Sequence, residues 1–168
     1  MPRDTIHLTA HETLTIERST PEVLSMQAHW TPGDQEPLEH LHPAQDERFE
    51  VFEGALEVRI AGSTRVYEAG ESFEVPRGTV HTMGPAGEDG ARARWEVRPA
   101  LRTEQMFRDI EAAGVAAGGR PGPMAMAPLL ATYRDEFRLG RIPEPVQGAV
   151  VAVLSRVARL GGRTPKTA

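Results

Sequence analysis

The chain has 168 residues and a formal charge of −5 at neutral pH, is 39% apolar and 26% charged, and holds 16 glycines and 14 prolines, the profile of one small globular domain rich in turns. It has no cysteine, which excludes disulfides, thiol nucleophiles and thiolate metal ligands. No stretch approaches the roughly 18 apolar residues that span a bilayer, and Met1-Pro2-Arg3-Asp4 leads into no apolar run of the secretory kind, so the expected location is cytoplasmic.

Up to Pro99 the apolar pattern has period two, the signature of half-buried strands. Leu24, Met26, Ala28 and Trp30 alternate, as do Phe49 with Val51, Leu56 with Val58 and Ile60, and Ala91 with Ala93, Trp95 and Val97. Pro32-Gly33, Gly54, Ala61-Gly62-Ser63, Ala69-Gly70 and the run from Gly84 to Gly90 are expected to break these strands at intervals suited to a meander or Greek-key barrel. Parity places His40 and His42 on one strand face with Leu41 pointing away. The turn Pro43-Ala44-Gln45-Asp46 lets a neighbouring strand return Glu47 alongside them, and Pro76-Arg77-Gly78 introduces His81. His40, His42, Glu47 and His81 are therefore the candidate metal ligands. Three neutral imidazoles and a carboxylate suit one divalent transition metal, whether Fe, Mn, Co, Ni, Cu or Zn, and an octahedral ion would keep about two positions open. His7, His11 and His29 read as ordinary surface or hydrogen-bonded histidines.

The same parity puts Leu38, Phe49 and Val51 on the inward face, with Met83 beside His81. Trp30 and Trp95 are candidates for a pocket wall, or else for the core or a dimer interface. If the other face of the last strand turns inward, Arg94 and Glu96 would bracket a polar or acidic ligand.

Charge divides the chain near Pro99. Residues 1–100 hold 18 acidic and 9 basic side chains (−9), and residues 101–168 hold 6 and 10 (+4), which sum to −5. An acidic first part argues against nucleic-acid binding, which depends on cationic contacts. The expected division is a β-barrel over 1–100 and a helical extension over 101–168. After Pro99 the period becomes helical. Thr103 is the expected N-cap of a helix to about Gly114, with Phe107 and Ile110 on one side. Met126, Leu130, Tyr133 and Phe137 mark a second helix ending near Gly140. A third, from about Pro145 to Leu160, carries the stripe Val146, Val150, Val153, Leu154, Val157 and Leu160, with Arg156, Arg159 and Arg163 opposite. That stripe either packs on the barrel or on a second subunit, or lies on a membrane surface.

His40-x-His42, four residues, Glu47, six residues, Gly54 resembles the first cupin motif, and Gly70, five residues, Pro76-x-Gly78, two residues, His81 resembles the second. The fifteen residues between Gly54 and Gly70 are similar to the spacing of small bacterial cupins with one barrel. Two positions depart from the pattern, Gly33, one residue further from His40 than usual, and Pro85, where an asparagine is common. The resemblance covers about residues 20–100. It implies a mainly β chain, a single cupin β-barrel or jelly roll followed by about three C-terminal helices, with His40, His42, Glu47 and His81 as ligands inside the barrel and pairing into a homodimer.

The functional expectation is a metal-dependent enzyme acting on a small organic molecule, either a dioxygenase or a Lewis-acid isomerase or cyclase, with Glu47 as candidate general base. A non-catalytic ligand-binding or sensor protein and a structural metal-containing protein are the alternatives.

Overall fold

The structure is a computed structural model that describes residues 4–33, 38–140 and, beyond them, 145, 146, 148, 149, 152–154 and 156. Nine strands precede the helices: β1 (Thr5–His7), β2 (Glu12–Ser19), β3 (Leu24–Trp30), β4 (His40–Leu41), β5 (Asp46–Ile60), β6 (Ser63–Glu68), β7 (Ser72–Val75), β8 (His81–Pro85) and β9 (Ala91–Arg98). Helices α1 (Thr103–Ala117) and α2 (Pro123–Thr132) follow, and the chain then returns to the barrel as β10 (Arg138–Leu139). Every pairing is antiparallel, and the ten strands of the described residues form a jelly-roll barrel.

The architecture turns on β5, which belongs to both halves of the barrel. Its first residues pair with β7 and β9, extending the run β1-β2-β3-β9, and its last six pair with β6 and β8, which leads to β4 and β10. The expected break at Gly54 is instead the crossing point of one 15-residue strand. A register shift between Val51 and Glu53 bulges the strand, and Gly54 adopts φ +68° where a Cβ would run into the Gly90 carbonyl oxygen. Only glycine accepts that conformation and that approach together.

The alternation read from sequence is realised as core. Leu24, Met26, Ala28, Trp30, Phe49, Leu56, Val58, Ala93, Trp95 and Val97 are all buried, and their opposite-parity neighbours on β9 and β5 face outward. Phe49 stacks on Phe73 at 4.8 Å and on Trp95 at 5.3 Å, and Trp95 meets Phe107 of α1 at 5.5 Å. This aromatic row carries the barrel interior into the helical extension. Burying each such ring from water stabilises by about 1.5–3 kcal/mol.

Three details of the extension differ from expectation. Arg102, not Thr103, is the cap residue; Thr103 is the first helical residue, fully buried, and its Oγ1 accepts a 2.8 Å hydrogen bond from Gln45 Nε2. Helix α1 passes Gly114 and ends at Ala117, with Gly118 in the left-handed conformation as its C-cap. The second helix stops at Thr132, and Phe137 leads into a strand, because Arg138 and Leu139 pair with Leu41 and His40 and so satisfy an otherwise open edge. The helical spacing of Tyr133 and Phe137 is met by a single turn in which Phe137 N–H reaches the Tyr133 carbonyl.

The described residues from 145 to 156 are helical. Of the predicted stripe, Val146 and Val153 are exposed while Leu154 turns toward the barrel cavity. Val150, Val157, Leu160, Arg159 and Arg163 lie outside the described residues. No described helix is long and apolar enough to cross a membrane.

Candidate metal centre

His40 and His81 sit directly opposite each other across β4 and β8. His42 follows β4 by one residue, and Glu47 is the second residue of β5. One ring nitrogen from each of the three histidines falls within a group whose members are all within 4.8 Å of one another. The Glu47 carboxylate closes the group, with Oε1 3.2 Å from His42 Nε2 and Oε2 3.1 Å from His81 Nε2. His42, Glu47 and His81 are almost wholly buried. All four residues named from spacing are thus brought together.

The tautomers follow from the backbone. The Nδ1–H of His40 donates to the Leu38 carbonyl at 2.8 Å, that of His42 to Glu136 at 2.6 Å and that of His81 to Thr79 at 3.0 Å. A carbonyl only accepts, so each Nδ1 carries the proton and each Nε2 presents its lone pair to the shared centre. His42 Nε2, His81 Nε2 and Glu47 Oε2 are buried without a hydrogen-bond partner. Buried polar atoms are nearly always satisfied, and imidazoles fixed through the far nitrogen are the usual preparation for a metal. The donor set therefore fits a divalent transition ion. Glu47 is positioned in turn by Trp95, whose Nε1–H donates to Oε1 at 3.0 Å.

Burial pushes the His40 imidazole down to about 3, helped by its two imidazole neighbours, and lowers His42 as well. Burial would raise Glu47, but the surrounding imidazoles outweigh it and hold the carboxylate below its usual range. His81 moves upward because its Glu47 contact outweighs its desolvation. His40 and His42 are thus held as neutral ring donors beside an ionised carboxylate, and His81, whose proton Glu47 favours, would release it on metal ligation.

The three histidines line a cavity of about 800 Å³. Trp30, Phe49, Met83 and Trp95 line it as expected, and Leu38 does so from outside β4, with 48% of its surface exposed. Val51 is inward but sits in the apolar core at the β5 bulge and does not reach the cavity. Arg94 and Glu96 are corrected: with Trp95 inward they must face out, and they form a separate shallow cleft with Arg48 and Glu50. There Arg94 pairs with Glu17 and Glu50, and Glu96 with Arg98.

Several residues of the site were not expected from sequence. Phe137 stacks on the His40 ring at 4.9 Å. Glu136, 2% exposed, holds His42 through its backbone and is itself held by Arg102, whose Nε reaches Oε1 at 3.0 Å while Nη2 donates to the Thr132 carbonyl at 2.6 Å. Gln45, fully buried, donates through Nε2 to Thr103 Oγ1 and to the Pro99 carbonyl, fastening the turn before Glu47 to the start of α1. The nearest sequence signal was the helical spacing of Tyr133 and Phe137, which brackets Glu136 and gives no partner.

A family model described as "Cupin domain" matches residues 26–95. Among solved structures, KdgF from a Halomonas species is 23% identical with a TM-score of 0.51, over 57% of this chain and 86% of that one. An RmlC-like cupin from Shewanella frigidimarina is 20% identical with a TM-score of 0.55, over 61% and 89%. A protein from Klebsiella pneumoniae with a double-stranded β-helix domain is 22% identical with a TM-score of 0.50, over 55% and 75%. No curated protein matches the chain by sequence. At these identities the likeness is one of fold, and the helices after residue 100 lie outside the family match.

Proposed function

We propose that the protein, whose residues 26–95 match a family model described as "Cupin domain", is a metal-dependent enzyme acting on a small organic molecule bound in the barrel. The carrying observation is the set of bare Nε2 atoms of His42 and His81, which converge with His40 on the wall of an 800 Å³ cavity, with the Glu47 carboxylate beside them. His40, His42, Glu47 and His81 would hold one divalent ion, of the Fe, Mn, Co, Ni, Cu or Zn group. Bound there, the ion would supply either Lewis-acid polarisation of a substrate oxygen or a site for dioxygen chemistry.

The chain's own residues supply the rest. The three backbone carbonyls hold the imidazole planes, Trp95 holds Glu47, and the apolar walls exclude water from whatever is bound. Glu47 is the general base of this reading, being a buried carboxylate next to the cavity that can accept a substrate proton when it is not engaged with the ion. The exposure of the ring cluster to the cavity favours turnover or ligand capture over a purely structural ion, since structural sites are closed by protein ligands.

Elemental analysis of protein purified without added metal or chelator is the first test; no transition metal and no uptake on titration would reject the reading. Oxygen uptake by Fe(II)-loaded protein over a panel of phenols and diketones then separates the two chemistries. Silence in that assay, with turnover under anaerobic Zn(II), would assign the Lewis-acid reaction.

A further inference from the structure

The cavity joins the histidine cluster, set on and beside β4 and β8, to walls that are mainly apolar, with Thr9, His11, Thr31 and Thr82 as the scattered polar positions, and cluster and walls come largely from different parts of the chain. Much of the remaining wall comes from residues after position 100, among them Met106, Ile110, Met126, Leu130 and Leu154. The barrel thus places the donor groups, and the extension shapes the space a bound molecule would occupy.

Charge follows the same division. Besides the imidazoles, the lining side chains that carry charge are Glu12 and Arg120. Arg120 is solvent-exposed at the rim. Glu12 is partly buried, and its carboxylate accepts from Trp30 Nε1 at 3.1 Å. Among the described lining residues the exposed Arg120 is the one Lys or Arg, so no buried cation lies along the walls to receive an anion. A phosphate or carboxylate on the body of a ligand would lose its hydration there with no buried cation to pair with. A sugar-like body would leave hydroxyls unpaired against methionine, leucine and isoleucine, at about 1–3 kcal/mol for each group. The volume lies in the upper part of the ~300–1,000 Å³ usual for small-molecule sites.

We propose that the molecule taken by this site is lipophilic and uncharged along its body, carries a single oxygen donor at the end that meets the histidine cluster, and is selected by the helical extension. The assignment of the donor end rests on the reading of the cluster as a metal centre. The assignment of the body rests on the walls alone.

The test uses the full-length chain stripped of metal, so that the walls are read without an ion to anchor anions. It is titrated with the neutral fluorescent probe N-phenyl-1-naphthylamine, which is then displaced with 2-naphthol or with 6-hydroxynaphthalene-2-sulfonate. These two share the hydroxyl end and differ by an anionic group at the far end. One probe should bind per chain, and 2-naphthol should displace it at a concentration about tenfold or more below that of the sulfonate. Met126→Gln should weaken the probe about tenfold with an unchanged melting temperature, Leu130→Gln should repeat that result at a second wall position, and Arg94→Gln on the outer face should leave binding as it is. No probe binding, displacement by the sulfonate at equal or lower concentration, or wall variants with full affinity would overturn the proposal. A separate Zn(II) titration decides the metal reading, so the two can fail independently.

Discussion

The backbone oxygen of Glu136 accepts the Nδ1–H of His42 at 2.6 Å, across 94 residues of sequence. A candidate metal ligand on the barrel is thereby oriented by the extension, and the Glu136 side chain fixes the contact through Arg102. The helical tail is accordingly part of the centre.

Arg102→Ala leaves the buried Glu136 carboxylate without its guanidinium partner. Global stability should fall by about 1–3 kcal/mol in denaturant titration, and Zn(II) affinity by about tenfold in calorimetry through the loosened His42. Arg102→Lys should recover little, because a single ammonium cannot serve both the carboxylate and the Thr132 carbonyl. Unchanged metal affinity in the alanine variant would separate the tail from the site.

Metal should stabilise the fold. At a hundredfold excess over its Kd, Zn(II) should add about 2.7 kcal/mol, a rise of about 5–10 °C in melting temperature for a chain of this size. Chelator should reverse the rise and His42→Ala should abolish it. Persistence of the shift in that variant would mean that the ion binds elsewhere.

Trp95 and Trp30 both line the cavity yet donate to different carboxylates, Glu47 and Glu12. Trp95→Phe keeps most of the burial and removes the hydrogen bond to Glu47, so metal affinity should drop about 10–100-fold. Trp30→Phe should leave it within about twofold. Equal effects in isothermal titrations of the two variants would count against the positioning role of Trp95.

Burial pushes the Glu12 carboxyl up to about 7 from the usual 4.5, partly offset by Trp30 Nε1–H. Between those values the folded chain retains a proton that the unfolded chain has lost. The contribution of Glu12 to stability is therefore greatest below 4.5, falls as pH rises toward 7 and is flat above it. Glu12→Gln removes this dependence while its amide oxygen can still accept from Trp30. The variant should match the wild type near pH 4 to 5 and melt higher near pH 8, to an extent set by linkage. Melting curves that stay parallel across that range would reject the assignment.

Gly54 and Gly62 both have positive φ, but a Cβ at 54 meets the Gly90 carbonyl while a Cβ at 62 meets open space. Gly62→Ala should lose about 1 kcal/mol from backbone strain alone. Gly54→Ala should lose distinctly more, about 3 kcal/mol or above, because the strand crossing must shift. Equal losses would remove the steric part of the argument.

The four residues of the cluster were legible because their geometry is local to strands. A period of two and short turns bring His40, His42, Glu47 and His81 to one face whatever else the chain does. The outward position of Arg94 and Glu96 was left open, because parity says that they oppose Trp95 but not which face of the strand turns inward. The support shell was not. His42 is held by the backbone of Glu136, and a backbone oxygen has no sequence signature. Phe137 reads as helical from its spacing to Tyr133, and only the open edge of β4 decides that a strand follows. Arg102 and Glu136 look like two surface charges until the 34 residues between them are folded.

The pairing of β10 with β4 joins positions about a hundred residues apart in the chain. During synthesis, His40 and His42 emerge long before the strand that borders them and the carbonyl that sets the His42 ring. On the metal reading proposed above, ion loading would follow translation of the tail, and a truncated product that retains all four donor residues would be a poor competitor for metal.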